Sequence, residues 1–96
     1  MTKIKKYVEA IDEELEGAKS YAESYVECKA KGDSNWPNRY KEMAQDELKH
    51  AMYIHDKATA DIEELSKIYT PPVDMQKKWD ESHKTYVEKA AWIKQM

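Results

Sequence analysis

Two pairs of residues in this sequence place a carboxylate three positions before a histidine. They are Glu47 with His50 and Asp80 with His83. On an α-helix, residues three apart lie about 60° apart around the axis and nearly one turn along it, so both side chains of a pair point in a similar direction. Carboxylate oxygen and imidazole nitrogen are both good ligands for iron, manganese or zinc. Each pair is therefore a candidate for two ligands of one metal ion.

Two breaks divide the chain into three segments that have the periodicity of helices. Residues 32–37 combine a glycine, polar turn residues and a proline suited to a helix start, and two prolines at 71–72 cannot continue a helix. The predicted helices cover about 3–31, 37–69 and 73–95. Because the first connection is short, the first two helices are expected to be antiparallel neighbours. The 96 residues suffice for one domain, 1–96, an all-α bundle of two long helices and a third.

In each segment the apolar residues recur every three or four positions and form a stripe along one side of the helix. The candidate ligands interrupt these stripes. In the second segment, the stripe positions between Ala44 and Ala51 are Glu47 and His50. A carboxylate that faces the other helices without a partner is costly to bury, and a bound metal ion would remove that cost. The spacing alone is weak, since a helical chain with many glutamates produces it by chance, and an inward histidine is often only a hydrogen-bonded core residue.

The first and third segments carry similar interruptions. Between Ile11 and Ala18 the stripe passes Glu14, and the neighbouring acids point elsewhere around the helix. In the third segment we expect the inward face to include Val73, Gln76, Trp79, His83, Val87 and Ala90. Asp80 and His83 would then face the other helices, although a rotation of this helix would move His83 to the rim. Three helices each place an acid near the middle of the inward stripe.

Composition and charge exclude several classes of partner. The net charge is −3 with no long basic cluster, so a nucleic-acid partner is not expected. No stretch approaches the roughly 18 apolar residues of a membrane span, and the N-terminus has no signal-peptide core. The single cysteine, Cys28, excludes an internal disulfide and a Cys-rich metal centre, so a cytoplasmic location is expected. The chain is short and poor in leucine, and such thin cores are commonly supported by metal binding or oligomerisation.

The first two segments resemble the ferritin-like superfamily, especially its rubrerythrin-like branch. The resemblance rests on residues 14–21 (ELEGAKSY) and 43–51 (MAQDELKHA), and covers roughly residues 8–58. In that family the first helix supplies a metal-binding glutamate and the second supplies Glu-x-x-His. The resemblance implies that Glu14, Glu47 and His50 are ligands of a mono- or dinuclear site. It implies iron first, with manganese or zinc as alternatives.

The third segment departs from the family pattern. A full bundle has four helices and a second set of ligands, whereas this chain has one further helix with Asp80 and His83. Two arrangements are open. One is a compact site built from all five candidate ligands, Glu14, Glu47, His50, Asp80 and His83. The other is a homodimer, or a larger homo-oligomer, that pairs two half-sites.

Three functions follow from these observations. The resemblance implies a metal-binding protein in which any catalysed reaction would be ferroxidase- or peroxidase-like, with iron storage or peroxide detoxification as its role. The alternative is a non-catalytic structural or adaptor protein that has kept the helices and lost the metal. A zinc hydrolase at the same residues is a third, weaker option, because the sequence offers no dedicated nucleophile or oxyanion donor.

Overall fold

The computed structural model describes residues 2–68 and 70–96, and within them every regular element is an α-helix. The helices are α1 (Thr2–Ala30), α2 (Trp36–Ser66) and α3 (Val73–Lys94). The prediction of an all-helical chain with three helices is confirmed, with ends within three residues of the expected ones. The predicted end of the second helix, residue 69, lies outside the described residues, and α2 ends at Ser66. The fold is elongated, 55 × 20 × 19 Å.

The turn between α1 and α2 has a specific hydrogen-bonding pattern. The Gly32 N–H donates to the Lys29 carbonyl at 3.1 Å, and the Asp33 N–H donates to the Cys28 carbonyl at 3.1 Å. This is the Schellman arrangement, which requires a left-handed residue after the helix end. Gly32 supplies it with φ +79°. A side chain at this position would be strained.

The same turn also starts α2. The Asp33 carboxylate accepts hydrogen bonds from the backbone N–H groups of Asn35 at 2.8 Å and Trp36 at 2.9 Å. These two bonds lower the pKa of Asp33, because they stabilise its charged form. The sequence from Gly32 to Trp36 therefore closes one helix and opens the next, and it returns the chain antiparallel to α1.

The core lies mainly between α1 and α2. Small residues such as Ala18, Ala22, Ala44 and Ala51 are fully buried there, which lets the two helix backbones approach closely. The buried cluster consists of Ile11, Leu15, Ala18, Ala22, Ala44, Leu48, Ala51, Ala90 and Ile93. None of the helices in the described ranges combines the length and the hydrophobicity needed to cross a membrane.

The third helix covers only one flank of the α1–α2 hairpin. Lys89 of α3 bonds to Glu16 of α1 at 2.9 Å, and His83 of α3 meets His55 of α2 at 2.8 Å. Glu14 and Glu16 are about 200° apart around α1, and His50 and His55 about 140° apart around α2. The flank with Glu14 and His50 therefore faces away from α3.

The inward face of α3 keeps Trp79 and Ala90 of the predicted stripe but is rotated away from its other members. Val73 and Val87 were expected inside, but they are 82% and 50% exposed. Ser82 and Ile93 are buried instead, and Tyr86 packs against the core. The observed face buries isoleucine and aromatic surface, which stabilises α3 more than burial of the two valines would. His83 consequently lies at the rim of the α2–α3 contact.

Candidate metal centre

Three of the five predicted ligands meet on the flank of the hairpin that α3 leaves open. One ligand atom from each of Glu14, Glu47 and His50 lies within 4.8 Å of the other two. His50 Nδ1 is 3.6 Å from Glu14 Oε2 and 3.9 Å from Glu47 Oε1. No other group of three potential ligands converges in this way within residues 2–68 and 70–96. Two oxygen donors and one nitrogen donor thus face a common point.

Each helix positions its ligand by a local feature. On α2, the spacing of three residues brings Glu47 and His50 to one side, next to the buried Ala44 and Ala51. On α1, Glu14 precedes the fully buried Leu15 and therefore lies at the edge of the core. Because the helices are antiparallel and close, the edge of α1 at Glu14 meets the edge of α2 at Glu47.

Gly17 leaves the space that the Glu47 carboxylate occupies. A Cβ atom built on Gly17 would lie 3.3 Å from Glu47 Oε2 and 3.6 Å from Glu47 Cδ. The first distance is shorter than an ordinary van der Waals contact of about 3.5–4.0 Å. Alanine at this position would push the carboxylate away from its present place. The glycine is one turn beyond Glu14, so one stretch of α1 supplies both a ligand and the room for a second.

The two carboxylates interact unfavourably when both are charged. The pKa of Glu47 is raised, first by a hydrogen bond with Glu14, then by partial burial and by the negative charge of Glu14, while His50 opposes the shift. A proton shared between the carboxyl groups relieves the repulsion, and a divalent cation would relieve it more fully. The side chains of Glu14 and Glu47 are 29% and 28% exposed and that of His50 is 55% exposed, so an ion can reach them from solvent.

The other two predicted ligands, Asp80 and His83, lie elsewhere. Asp80 accepts a hydrogen bond from Gln76 within α3, at 3.0 Å. His83 meets His55 on the opposite flank of the hairpin. The compact five-ligand arrangement is therefore not formed within the chain. Its failure follows from the rotation of α3, which directs Ser82 and Tyr86 inward in place of the stripe through His83.

His55 was not among the candidate residues that the sequence pointed to. His55 stacks between two aromatic rings, with centroid distances of 5.2 Å to Trp79 and 4.5 Å to Tyr86. The signal was present in the spacing, because His55 lies four residues after Ala51 and three before Ala58, both fully buried. That position is on the inward stripe of α2.

Comparison with known proteins adds no relative. No protein-family model matches this chain, and neither the curated proteins nor the solved structures give a significant match. The functional argument therefore rests on the geometry of Glu14, Glu47 and His50.

Proposed function

We propose that this chain is a metal-binding protein that holds a divalent ion, iron first and manganese or zinc as alternatives, with Glu14, Glu47 and His50. The observation that carries the proposal is the convergence of their ligand atoms within 4.8 Å from two different helices. Carboxylate-rich sites with one imidazole suit Fe²⁺, Mn²⁺ and Zn²⁺.

Two features of the site fit a bound cation. Gly17 leaves room for the Glu47 carboxylate at its place next to Glu14. An arrangement of like charges at close range is unfavourable by itself, and a cation between them makes it favourable. Glu14 and Glu47 would hold the ion from two helices, and His50 would supply the nitrogen donor.

The proposed role is ferritin-like handling of iron, that is, oxidation, storage or peroxide detoxification. Iron with positions open to solvent would supply the redox chemistry with oxygen or peroxide. The contribution of this chain is to orient the three ligands from two helices, with the Glu47 carboxylate close to Glu14.

Self-association is part of the proposal. Three ligands leave a site that a second copy can complete, and the flank that carries them is not covered by α3. We propose a homodimer or larger homo-oligomer in which the hairpin flanks of two copies approach each other. Light scattering with and without metal tests this, and a monomer under both conditions contradicts it.

A second candidate function follows from the same distances. His50 lies near both carboxylates, so a protonated His50 can serve as their counter-ion without metal. In that case the chain is a helical structural or adaptor protein. The two candidates differ in what happens when metal is added.

The deciding experiment is an anaerobic titration with Fe²⁺ and, separately, Mn²⁺, followed by thermal unfolding. The proposal expects near-stoichiometric binding and, at a metal concentration about a hundred times Kd, stabilisation of about 2.7 kcal/mol. Both effects should be lost in Glu47→Ala. Glu63→Ala is the matched control, because Glu63 is an exposed acid of the same helix. Weak binding that Glu47→Ala leaves unchanged would favour the counter-ion role.

A further inference from the structure

The second histidine-bearing region lies between α2 and α3, on the opposite flank from Glu14, Glu47 and His50. His55 Nε2 and His83 Nδ1 are 2.8 Å apart, although the residues are 28 positions apart in the sequence. The rings are tilted by 31° with centroids 4.9 Å apart. The two rings from different helices thus share a hydrogen bond at the edge of the bundle, in which one imidazole N–H donates to the unprotonated nitrogen of the other ring.

We propose that His55 and His83 form a second metal site, which binds a late divalent transition ion such as Ni²⁺, Cu²⁺ or Zn²⁺ and links α2 to α3. With metal–nitrogen bonds of about 2.0–2.1 Å, two nitrogens on one ion lie roughly 2.9–3.4 Å apart. The observed 2.8 Å lies just below the lower end of this range. An ion would replace the hydrogen bond: the exposed His83 ring would rotate slightly, and the ring that donates would take its other tautomer, with its proton on the nitrogen that faces away from the ion.

The surroundings hold His55 in place for this role. Its ring is stacked on Tyr86 with an interplanar angle of 9° and on Trp79 with an angle of 21°. Both aromatic residues belong to α3, so the docking of α3 fixes the imidazole that would bind first. A ligand that is already fixed loses little entropy when the ion binds.

Charge and protonation also suit a cation at this position. The hydrogen bond between the rings requires one of its two nitrogens to be unprotonated, so the contact already presents one nitrogen that can bind a cation. Asp56 follows His55, and Asp80 lies nearly one turn before His83 in α3. Of the two carboxylates, Asp56 acts on His55 electrostatically, and water can complete the coordination because His83 is exposed.

The ligand types separate this site from the first one. Imidazole nitrogens favour Ni²⁺, Cu²⁺ and Zn²⁺, whereas carboxylate oxygens favour harder ions such as Mn²⁺. The inference is independent of the proposed iron site, since it uses none of Glu14, Glu47 or His50. Binding at the histidine pair would stabilise the attachment of α3 to the hairpin.

The test is calorimetric titration with Ni²⁺ in a background that lacks the first site, Glu47→Gln with His50→Gln. This double variant should bind one Ni²⁺ per chain. Adding His83→Gln should weaken binding at least roughly tenfold, which corresponds to about 1.4 kcal/mol. Adding Lys84→Gln, at the exposed neighbour, should leave Kd unchanged. Absence of Ni²⁺ binding in the double variant, or an unchanged Kd after His83→Gln, would overturn the proposal.

A second measurement uses the unmodified chain, so that the outcome does not depend on the folding of a variant. Sub-stoichiometric Cu²⁺ should broaden the NMR signals of the His55 and His83 ring protons, together with those of the nearby Trp79 ring. Broadening confined to His50 would mean that the copper ion binds only at the first cluster, and it would contradict the second site.

Discussion

The two flanks of the α1–α2 hairpin use histidine in different ways. On the open flank, His50 lies beside Glu14 and Glu47 and is more than half exposed. On the flank covered by α3, His55 is stacked between two aromatic rings and meets a second histidine. The first environment supplies oxygen ligands and negative charge, and the second supplies nitrogen ligands and an apolar wall. The neighbours of each ring, more than the histidine itself, determine which ion each flank suits.

The largest effect is expected from Trp79→Ala, which removes an aromatic ring that packs on His55 and on the core. We expect a loss of about 2–4 kcal/mol in the free energy of unfolding, because truncation of large core side chains costs this much. Urea unfolding followed by circular dichroism measures it, with the exposed Val87→Ala as the control.

Trp79→Ala also tests whether the two flanks bind metal independently of each other. Mn²⁺ binding at Glu14, Glu47 and His50 should persist in Trp79→Ala, since these ligands belong to α1 and α2. Equal loss of Mn²⁺ and Ni²⁺ binding would show that the two flanks are not independent.

Gly17→Ala should raise the stability of the metal-free protein and lower its affinity for Mn²⁺. Alanine has a higher helix propensity, by about 0.5–1 kcal/mol, so the metal-free protein should unfold at slightly higher urea concentration. The added Cβ would displace the Glu47 carboxylate, so Mn²⁺ affinity should fall about tenfold, or about 1.4 kcal/mol. Gly32→Ala is the matched control. It should lower stability, because φ is +79° there, without a direct effect on Mn²⁺ affinity. If Gly17→Ala binds Mn²⁺ with the affinity of the parent chain, the space left by Gly17 is not needed for metal binding.

Acid should lower the free energy of unfolding through His55, on the flank covered by α3. The pKa of His55 is lower in the folded chain than the ordinary 6.5, so below pH 6.5 the unfolded chain binds the proton more readily. The stability due to neutral His55 is present above pH 6.5 and is lost as pH falls through the lowered pKa. Urea midpoints between pH 7.5 and 5 in the presence of a chelator measure this. His83→Gln should make the urea midpoint depend less on pH, because burial and His83 are the two causes that lower the pKa of His55. An unchanged pH dependence would show that His83 does not act on His55.

The smallest effect is expected from Glu47→Gln without metal. The pKa of Glu47 is raised, so its contribution to stability is present below the ordinary 4.5 and is lost as pH rises through the raised value. At neutral pH, removal of this charge should stabilise the metal-free protein by a few tenths of a kcal/mol, as for other half-exposed charge pairs. Added Mn²⁺ should then stabilise the parent chain more than the variant. If Glu47→Gln destabilises the metal-free chain, the carboxylate repulsion is not the dominant interaction.

The helices, and the proximity of Glu14, Glu47 and His50, could be read from the sequence because their signals are local. Gly32 and the two prolines at 71–72 end or exclude helix through their own backbone preferences. On α1 and α2, the buried positions follow one clear stripe. Between Ala44 and Ala51 the buried residue is Leu48, whereas Glu47 lies at the edge of the stripe and His50, which was expected to face the other helices, is 55% exposed.

The face of α3 could not be read in the same way. Two stripes overlap on this helix, one through Val87 and one through Tyr86 and Ile93, and they differ by about 100°. The choice between them depends on packing against α1 and α2, which is a property of the assembled fold. Asp80 and His83 were therefore expected on the inward face, whereas the assembled fold leaves both exposed. The stripe of α2 indicated an inward position for His55 but not that α3 would be its partner.

The antiparallel turn at Gly32 has a consequence for synthesis of the chain. Because α1 and α2 are consecutive, Glu14, Glu47 and His50 have all left the ribosome by the time Ser66 emerges, before any residue of α3 has been exposed. A nascent hairpin can thus bring these three side chains together early. The contact between His55 and His83 can form only after α3 has been synthesised. During translation, the region of Glu14, Glu47 and His50 should therefore form first and the contact between the two histidines second.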